Sequence, residues 1–447
     1  MNDLIFSSES TSYLWILLLT ALIWRAWFFS KPVAGLGLCH WFNQAINHFF
    51  GEYFISQNAE FKSADRLAGQ SGYQISAIAI SGLIVALVMV TAVDITSKSK
   101  KLPKQYYYDE NKNLKIGFLA FVYGMICYFF LSGLLSFIPS ITSILSGGLA
   151  MASAGMAWAF VAVFKYRGPV QALMFATLMF LFPVFTLILN GFMGYGIGAI
   201  FGIAGVVMVT FKPRWVMVLI APSLLYLGLS LYPSYMIARG EIRTKVWGGA
   251  DLSERFDATF GGIAENWQWF DPNDEKQMEI LNGRMNQNIL VGHSYEYITS
   301  GQTNYAFGDT LIDGLLALIP RAIWADKPLS AGSNGMVTRF TGIKFAEGTS
   351  VGIGNMMEFY VNFGLFGVFI GYFVIGLAIY YLDSMAGQAI SNLNAGLFFM
   401  TLVPGQSLMN AIGSFVEWGP SLVGAMVLVW GFMRFVKPRE AIQWKTR

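Results

Sequence analysis

The stretch "YQISAIAISGLIVALVMVTAV", residues 73–93, decides the fold class because it contains no charged side chain. An apolar helix of about 20 residues is long enough to cross the hydrocarbon core of a bilayer. The whole chain has the same character, with 55% hydrophobic residues, 12% charged residues and a mean hydropathy of +0.53. Soluble domains carry about 25% charged residues. The sequence therefore predicts an all-α polytopic membrane protein.

Apolar runs of similar length predict about ten transmembrane helices. These runs are 8–29, 73–93, 115–138, 140–163, 169–190, 193–211, 215–232, 353–382, 394–412 and 419–436. An even number of spans places both termini on one side, together with the basic stretches 98–104, 165–167 and 212–214. The positive-inside rule makes that side cytoplasmic. Residues 30–72 are then extracytoplasmic, although they contain Lys31, Lys62 and Arg66.

The first apolar run is predicted to remain in the protein as a membrane span. It has no basic residues before it and no small-residue cleavage site after it, so it does not match a signal peptide. The net charge of +3 is too small to suggest a nucleic-acid partner. Cys39 and Cys127 cannot form a disulfide framework or a four-ligand zinc site. No metal or other cofactor is expected.

The largest segment between predicted spans is 233–352, which divides the chain into 1–232, 233–352 and 353–447. Because it is rich in aromatic and aliphatic residues, we expect a folded extracytoplasmic cap rather than a disordered loop. Its apolar stretch 309–324 is too short to span a bilayer and predicts a re-entrant or interfacial helix that ends at Pro320. Met278, Leu281, Met285 and Ile289 recur at helical spacing and predict an amphipathic helix over 275–292.

Basic residues of the cap are candidates for binding a diphosphate at the depth of the lipid headgroups. Arginine offers permanently charged, bidentate donors to phosphate oxygens. Arg239 and Arg243 lie one helical turn apart, and Trp324, between Arg321 and Lys327, suits the headgroup layer. The full set is Arg239, Arg243, Lys245, Arg284, Arg321, Lys327, Arg339 and Lys344. The alternative is that these side chains snorkel or pair with nearby carboxylates.

Two motifs resemble those of the Wzy-type polymerases, which polymerise the repeat units of O-antigen, enterobacterial common antigen and exopolysaccharide. The first, "IPRAIWADKP" (319–328), resembles a Pro-Arg-x-x-Trp-x-x-Lys-Pro pattern. The second lies in "GIGNMMEFYVNFGLFGVFIG" (352–371) and resembles a Glu-x-Tyr-x-Asn-Phe-Gly-x-x-Gly helix start, at Glu358, Tyr360, Asn362, Phe363, Gly364 and Gly367. One element departs from the family. Many members have Gly-x-Arg between the fifth and sixth spans, where this chain reads "LNGFMGYG" (189–196), and we expect Arg239 or Arg243 to substitute.

The resemblance implies a GT-C-like membrane glycosyltransferase in the bacterial cytoplasmic membrane, with its active site facing the periplasm. It would transfer a growing glycan from undecaprenyl diphosphate to the non-reducing end of an incoming lipid-linked repeat unit. The implied partners are undecaprenyl-diphosphate-linked oligosaccharides, the bilayer and a co-polymerase that regulates chain length. Tyr360 and Asn362 would contact the sugar or diphosphate.

Such a reaction needs stabilisation of the leaving diphosphate and a base near the acceptor hydroxyl. Arg321 and the other arginines can stabilise the leaving diphosphate without a metal. Candidates for the base are Glu358, an acid in an apolar run, and His293, the only histidine of the cap, followed by Asp309 and Glu241. Structural roles for both leading candidates remain open. Alternative functions are a transporter or flippase for a lipid-linked glycan, an O-antigen-ligase-like transferase and, third, a membrane scaffold.

Overall fold

The computed structural model describes residues 6–57, 65–96, 110–135, 141–179, 186–189, 191, 193–212, 214–319, 324, 333–345, 351–409 and 413–436. Within these ranges the chain is all-helical and contains no β-strand. The helices are α1 (Ser8–Trp27), α2 (Leu36–His48), α3 (Phe50–Gln57), α4 (Arg66–Thr96), α5 (Glu110–Leu134), α6 (Ile141–Ser146), α7 (Gly148–Arg167), α8 (Pro169–Met179), α9 (Met193–Phe211), α10 (Arg214–Trp247), α11 (Leu252–Glu265), α12 (Glu275–Met285), α13 (Asn288–Thr299), α14 (Asp309–Ala317), α15 (Ser333–Thr341), α16 (Asn355–Ser391), α17 (Ala395–Leu408) and α18 (Phe415–Phe435).

Five helical segments in the described part are long and apolar enough to cross a membrane: α4, α5, Ile144–Arg167, α16 and α18. Two shorter apolar helical segments are Gly198–Phe211 and Ala395–Leu408. Residues on the outside of these helices are apolar too, as in Val88 and Phe366, whose side chains are 62% and 72% exposed. The prediction of a helical membrane protein is confirmed at this level.

Helices α1 and α4 run in the same direction, which sequence analysis did not predict. The Ser12 and Tyr73 hydroxyls lie 2.8 Å apart near the start of both helices. Near their ends, the Arg25 guanidinium donates to the Asp94 carboxylate at 2.7 Å. The chain must therefore return along the bundle between α1 and α4.

Helix α2 makes this return. The Asp383 carboxylate, near the end of α16, accepts hydrogen bonds from the backbone N–H of Ala34 (2.8 Å) and Leu36 (2.9 Å), where α2 begins. The other end of α2 reaches the cap, where the His48 ring lies 2.9 Å from the Asn288 amide. Residues 34–36 and His48 therefore lie at opposite ends of the bundle, whereas the sequence analysis placed all of residues 30–72 on one side.

The first and last described helices, α1 and α18, both begin at the cap end of the bundle. Helix α1 begins at the cap end, beside Tyr73. Helix α18 begins near Glu358 at the cap end, where the Phe415 N–H donates to the Glu358 carboxylate. It ends beside Gly396, which follows the far end of α16. An even number of spans would instead place the start of α1 and the end of α18 at the same end of the bundle. Helix α2 is short and polar, so hydropathy alone does not detect it.

The cap docks on the bundle through contacts that require glycine. Helix α13 packs against the first turns of α4 so closely that a methyl group on Gly292 would overlap the Ala68 carbonyl oxygen. A methyl group on Gly72 would likewise overlap the Asn288 carbonyl oxygen. Because backbone meets backbone here, neither contact can be relieved by rotating a side chain. These two glycines fix the position of α13 on α4.

We expect Gly292→Ala to destabilise the protein by about 1–3 kcal/mol, because overpacking forces the backbones apart. Gly240→Ala is a matched control, since Gly240 is also inside a helix and a methyl group there meets nothing within 4 Å. Thermal unfolding in detergent measures both. Equal melting temperatures for the two variants would contradict the close packing of α13 on α4.

The motif Glu-x-Tyr-x-Asn-Phe-Gly-x-x-Gly forms a sharp reversal in α16 rather than a straight helix start. Phe363 (φ −139°, ψ 20°) and Gly364 (φ 64°, ψ −151°) leave the helical region. The Gly364 conformation is one that residues other than glycine rarely adopt. The segment 355–362 then folds back, because Phe359 contacts the positions of Gly367 and Gly371. In a straight helix residues 359 and 371 would lie about 18 Å apart along the axis.

Candidate anion-binding and catalytic site

Arg239 and Arg243 lie on α10, which continues as one helix across the predicted 232/233 boundary. The buried stripe of Tyr235, Ala238, Ile242 and Val246 packs with Leu187. The Tyr235 hydroxyl donates to the Gly191 carbonyl oxygen at 3.3 Å. The second half of α10 therefore lies across the segment that precedes α9.

Arg243 is held against the segment in which the family arginine is missing. Its Cγ lies 3.6 Å from where a Cβ of Gly191 would be, and Gly191 has a φ of +69°. Its guanidinium lies 5.1 Å from the centre of the Trp247 ring, which favours a cation–π contact. Arg243 thus packs beside "LNGFMGYG", at ordinary van der Waals distance from position 191.

Arg284 and Arg239 lie on different helices but close to a common neighbour. Both charges act on the Tyr232 hydroxyl, which is on α10 two helical turns before Arg239. Arg284 is exposed at the end of α12, and Arg239 is half-buried. We call Arg239, Arg243 and Arg284 the arginine cluster, although Arg243 lies eleven residues after Tyr232, about 16 Å further along the helix axis.

The motif 319–328 lies mostly outside the described residues, including Pro320, Arg321, Lys327 and Pro328. Trp324 is described, and its side chain is 39% exposed. Helix α14, which leads into this motif, begins at Asp309 and ends at Ala317, three residues before the predicted end at Pro320. It packs on α18 through Gly314, where a methyl group would overlap the Phe415 ring.

Glu358 is completely buried where the reversed segment of α16 meets α14 and α18. One carboxylate oxygen, Oε2, accepts the backbone N–H of Phe415 at 2.7 Å, in the first turn of α18. The positive end of that helix favours a negative charge. The other oxygen, Oε1, is buried and accepts no hydrogen bond within the described part of the chain. The Thr310 hydroxyl lies beside this carboxyl.

Asn362 and Tyr360 are buried next to Glu358 and hold the local fold together. The Asn362 amide donates to the Thr310 hydroxyl and to the Glu358 carbonyl, each at 2.7 Å, and accepts from the Gly308 N–H at 2.8 Å. The Tyr360 ring packs 6.1 Å from both Tyr295 and Tyr305, between centroids. Neither side chain is open to a substrate in this conformation.

His293 lies away from Glu358. Its Nε2 is 2.8 Å from the Asp65 carboxylate and its Nδ1 is 3.7 Å from Glu296. Tyr295, which packs on Tyr360, is two residues further along α13 and so points about 200° around the helix from His293. Both ring nitrogens of His293 thus face carboxylates, which suits a contact between α13 and the start of α4.

Arg339 lies near the start of α14 rather than with the arginine cluster. Its guanidinium is 3.7 Å from the Asp309 carboxylate, and both side chains are more than half exposed. An exposed ion pair of this length contributes little stability, about 0–1 kcal/mol. Glu241, the last candidate for the base, is exposed on α10.

A buried polar network between α3 and the cap was missed by sequence analysis. The Asn286 amide donates to Glu52 at 2.9 Å and to Asn282 at 3.0 Å. The Asn288 amide donates to the Asn286 side chain and to the His48 carbonyl. The predicted single helix over 275–292 is wrong because the chain breaks at Asn286 between α12 and α13 to form this network. The one sequence feature that could have indicated this network is the single acidic residue, Glu52, in the apolar stretch "FFGEYF" (49–54).

Burial raises the pKa of Glu52 to about 7, and the Asn286 hydrogen bond and the Arg66 charge offset only part of that rise. The folded state then binds a proton more tightly than the unfolded state, whose ordinary value is 4.5. Protonated Glu52 therefore contributes its full share of the folding stability below pH 4.5, and this contribution is lost as the pH rises towards 7.

We expect Glu52→Gln to flatten the fall in stability between pH 5 and pH 8, with a gain over the natural protein of up to about 3 kcal/mol at pH 8. The glutamine oxygen can still accept the Asn286 hydrogen bond. Unfolding in detergent at several pH values measures the slope. The control is Glu265→Gln, at an exposed carboxylate of α11. An unchanged slope in Glu52→Gln would contradict this role.

Within the described ranges, no three His, Cys, Asp or Glu side chains lie close enough together to hold a metal ion. Neither the curated proteins nor the solved structures contain a match to this chain. Residues 45–403 match the family described as "Domain of unknown function (DUF8712)". This range runs from the last turn of α2 into α17 and includes the arginine cluster, the cap and Glu358. Since the match covers most of its length, the chain belongs to the DUF8712 family.

Proposed function

We propose that the protein is a membrane-embedded glycosyltransferase of the Wzy type, a polymerase of undecaprenyl-diphosphate-linked repeat units. The observation that carries the proposal is the position of Arg243 against Gly191. The chain has no arginine at the family's Gly-x-Arg position in 189–196, and Arg243 of α10 lies beside that segment instead. Arg239, one turn before Arg243, and Arg284, near Tyr232, add two more cations along this half of α10.

We propose that the cap faces the periplasm in the bacterial cytoplasmic membrane. Arg25 and Lys31 lie beside Asp94, at the end of the bundle opposite the cap. Lys165 and Arg167 in the last turn of α7 belong to that end as well, because α7 packs antiparallel to α17, with Ser153 beside Gln406 and Trp158 beside Phe398. The positive-inside rule makes this end cytoplasmic. Shorter helices such as α2 and α17 would cross the bilayer with the five long apolar segments.

In the proposed reaction, an acceptor hydroxyl oxygen forms a new bond to the anomeric carbon of the growing chain. The bond from that carbon to the diphosphate oxygen breaks, and undecaprenyl diphosphate leaves. The arginine cluster stabilises the negative charge on the leaving group. The acceptor proton passes to Glu358, whose free oxygen Oε1 is the available site. Since Oε1 is buried, α14 must move away from α18 before the acceptor can reach it.

Proteoliposomes that contain the protein and a lipid-diphosphate-linked repeat unit test the proposal against the transporter alternative. We expect a ladder of longer glycans together with released undecaprenyl diphosphate. Movement of the lipid-linked unit between leaflets, without covalent change, would assign the protein to transport. Transfer of the glycan to lipid A, without elongation, would assign it to the ligases.

A further inference from the structure

Helix α11 carries an apolar ridge that no other helix in the described part of the chain covers. Leu252, Phe256 and Phe260 recur every four residues, which places them along one face of the helix. Their side chains are 62%, 49% and 41% exposed, respectively. The Phe256 and Phe260 rings lie 4.4 Å apart, between centroids, so the ridge is continuous.

The ridge is not the face through which α11 packs on α10. Ala258, Thr259 and Gly262 are buried in that interface, and a methyl group on Gly262 would lie 3.1 Å from the Ala238 side chain. The charged side chains of Glu254 and Asp257 occupy a third sector of the helix. The apolar sector of α11 is therefore wider than the surface that α10 covers, and its free part needs a second apolar environment.

The contacts of α10 place this ridge at the boundary of the membrane. Arg243 and Val246 lie against Gly191, two residues before the apolar helix α9 begins. Helix α11 begins beside them, where Glu254 pairs with Lys245 at 3.1 Å. Trp247, just before α11, is 62% exposed, and tryptophan is enriched where bilayers meet water.

An apolar surface continues from the other end of α11 onto the first half of α10. The Trp269 and Tyr226 rings are stacked at 5.9 Å with an angle of 11°. Trp269 is 57% exposed, and Tyr226 and Leu227 are 44% and 42% exposed. The first half of α10 is one of the apolar segments expected to face lipid, so the exposed aromatic surface leads from the ridge into the lipid-facing side.

We propose that α11 lies in the outer interfacial layer of the bilayer, with Leu252, Phe256 and Phe260 inserted among the lipids and Glu254, Asp257 and Glu265 facing water. A helix with one apolar and one charged face binds at this depth. Helix α11 then holds the second half of α10, with Arg239 and Arg243, at the level of the lipid phosphates. The proposal stands apart from the transferase reaction, because it concerns where α11 lies and not what the arginines bind.

Nitroxide labels on the full-length protein in phosphatidylethanolamine and phosphatidylglycerol vesicles test this proposal. Single cysteines replace Phe256 or Phe260 on the ridge, and Glu254 or Glu265 on the charged face, after the buried Cys39 and Cys127 are changed to alanine. We expect labels at 256 and 260 to collide several-fold more with oxygen than with a water-soluble nickel complex, and labels at 254 and 265 to show the reverse.

Equal access of the nickel complex to all four labels would overturn the proposal, because the ridge would then face water. Dipolar broadening between labels at 256 on different molecules would also overturn it, because a second copy of the chain would then cover the ridge. All four substituted side chains are exposed, so we expect the labels to leave the packing of α11 on α10 intact.

Discussion

Replacing Arg243 with alanine is expected to lower the rate of glycan elongation by about 10²–10³-fold, the effect of removing one preorganised donor to a developing anion. Arg243 is placed for this role by Gly191 on one side and Trp247 on the other. Because these contacts restrict the side chain before substrate binds, little conformational freedom is lost when the diphosphate arrives. Elongation by purified variants, resolved by product size, measures the effect.

Lys245→Ala is the matched control on the same helix. Lys245 is exposed and paired with Glu254 at 3.1 Å, so its loss should change elongation little. Arg243→Lys should retain part of the activity, because lysine keeps the charge but not the bidentate geometry. Full activity in Arg243→Ala, with the protein folded and in the membrane, would remove Arg243 from the mechanism.

Glu358→Gln is expected to lower elongation by about 10²–10⁴-fold, the usual contribution of a general base. Glutamine has the same shape, and its amide oxygen can accept the hydrogen bond from Phe415, so the fold should survive. Glu358→Ala should also destabilise the protein, because it leaves the buried Phe415 N–H without an acceptor. Melting temperatures of the two variants separate the loss of chemistry from the loss of packing.

His293→Ala provides the comparison for the base. Its ring contacts Asp65 and Glu296 and lies on the other side of α13 from Tyr295. We therefore expect most of the elongation activity to remain in this variant. If His293→Ala were inactive and Glu358→Gln active, the assignment of the base would be reversed.

Sequence patterns were sufficient for the parts of the fold that depend on hydrophobicity. The apolar run at 73–93 falls within α4, and the run at 353–382 falls within α16 except for its first two residues. Met278 and Leu281, predicted to lie on the apolar face of a cap helix, are buried. In each case the pattern reports directly which side chains avoid water.

Long-range contacts were beyond these patterns. Helix α2 was missed because His40, Gln44, Asn47 and His48 make it polar, and their burial depends on partners elsewhere in the chain such as Tyr372 and Asn288. The reversal at Gly364 was missed because glycine in an apolar helix is common in membranes. Hydropathy carries no information on which helices cross, so it could not predict the contact between Arg243 and Gly191. The only hint was the absence of the family arginine from the segment 189–196.

The measurement that tests the central claim most directly is the binding of undecaprenyl diphosphate and undecaprenyl monophosphate to the purified protein, by native mass spectrometry. We predict that the natural protein retains the diphosphate more strongly than the monophosphate. We also predict that this preference is lost when Arg239, Arg243 and Arg284 are all replaced with alanine. An equal preference in the natural protein and the triple variant would show that the arginine cluster does not bind the diphosphate, and would contradict the proposed role.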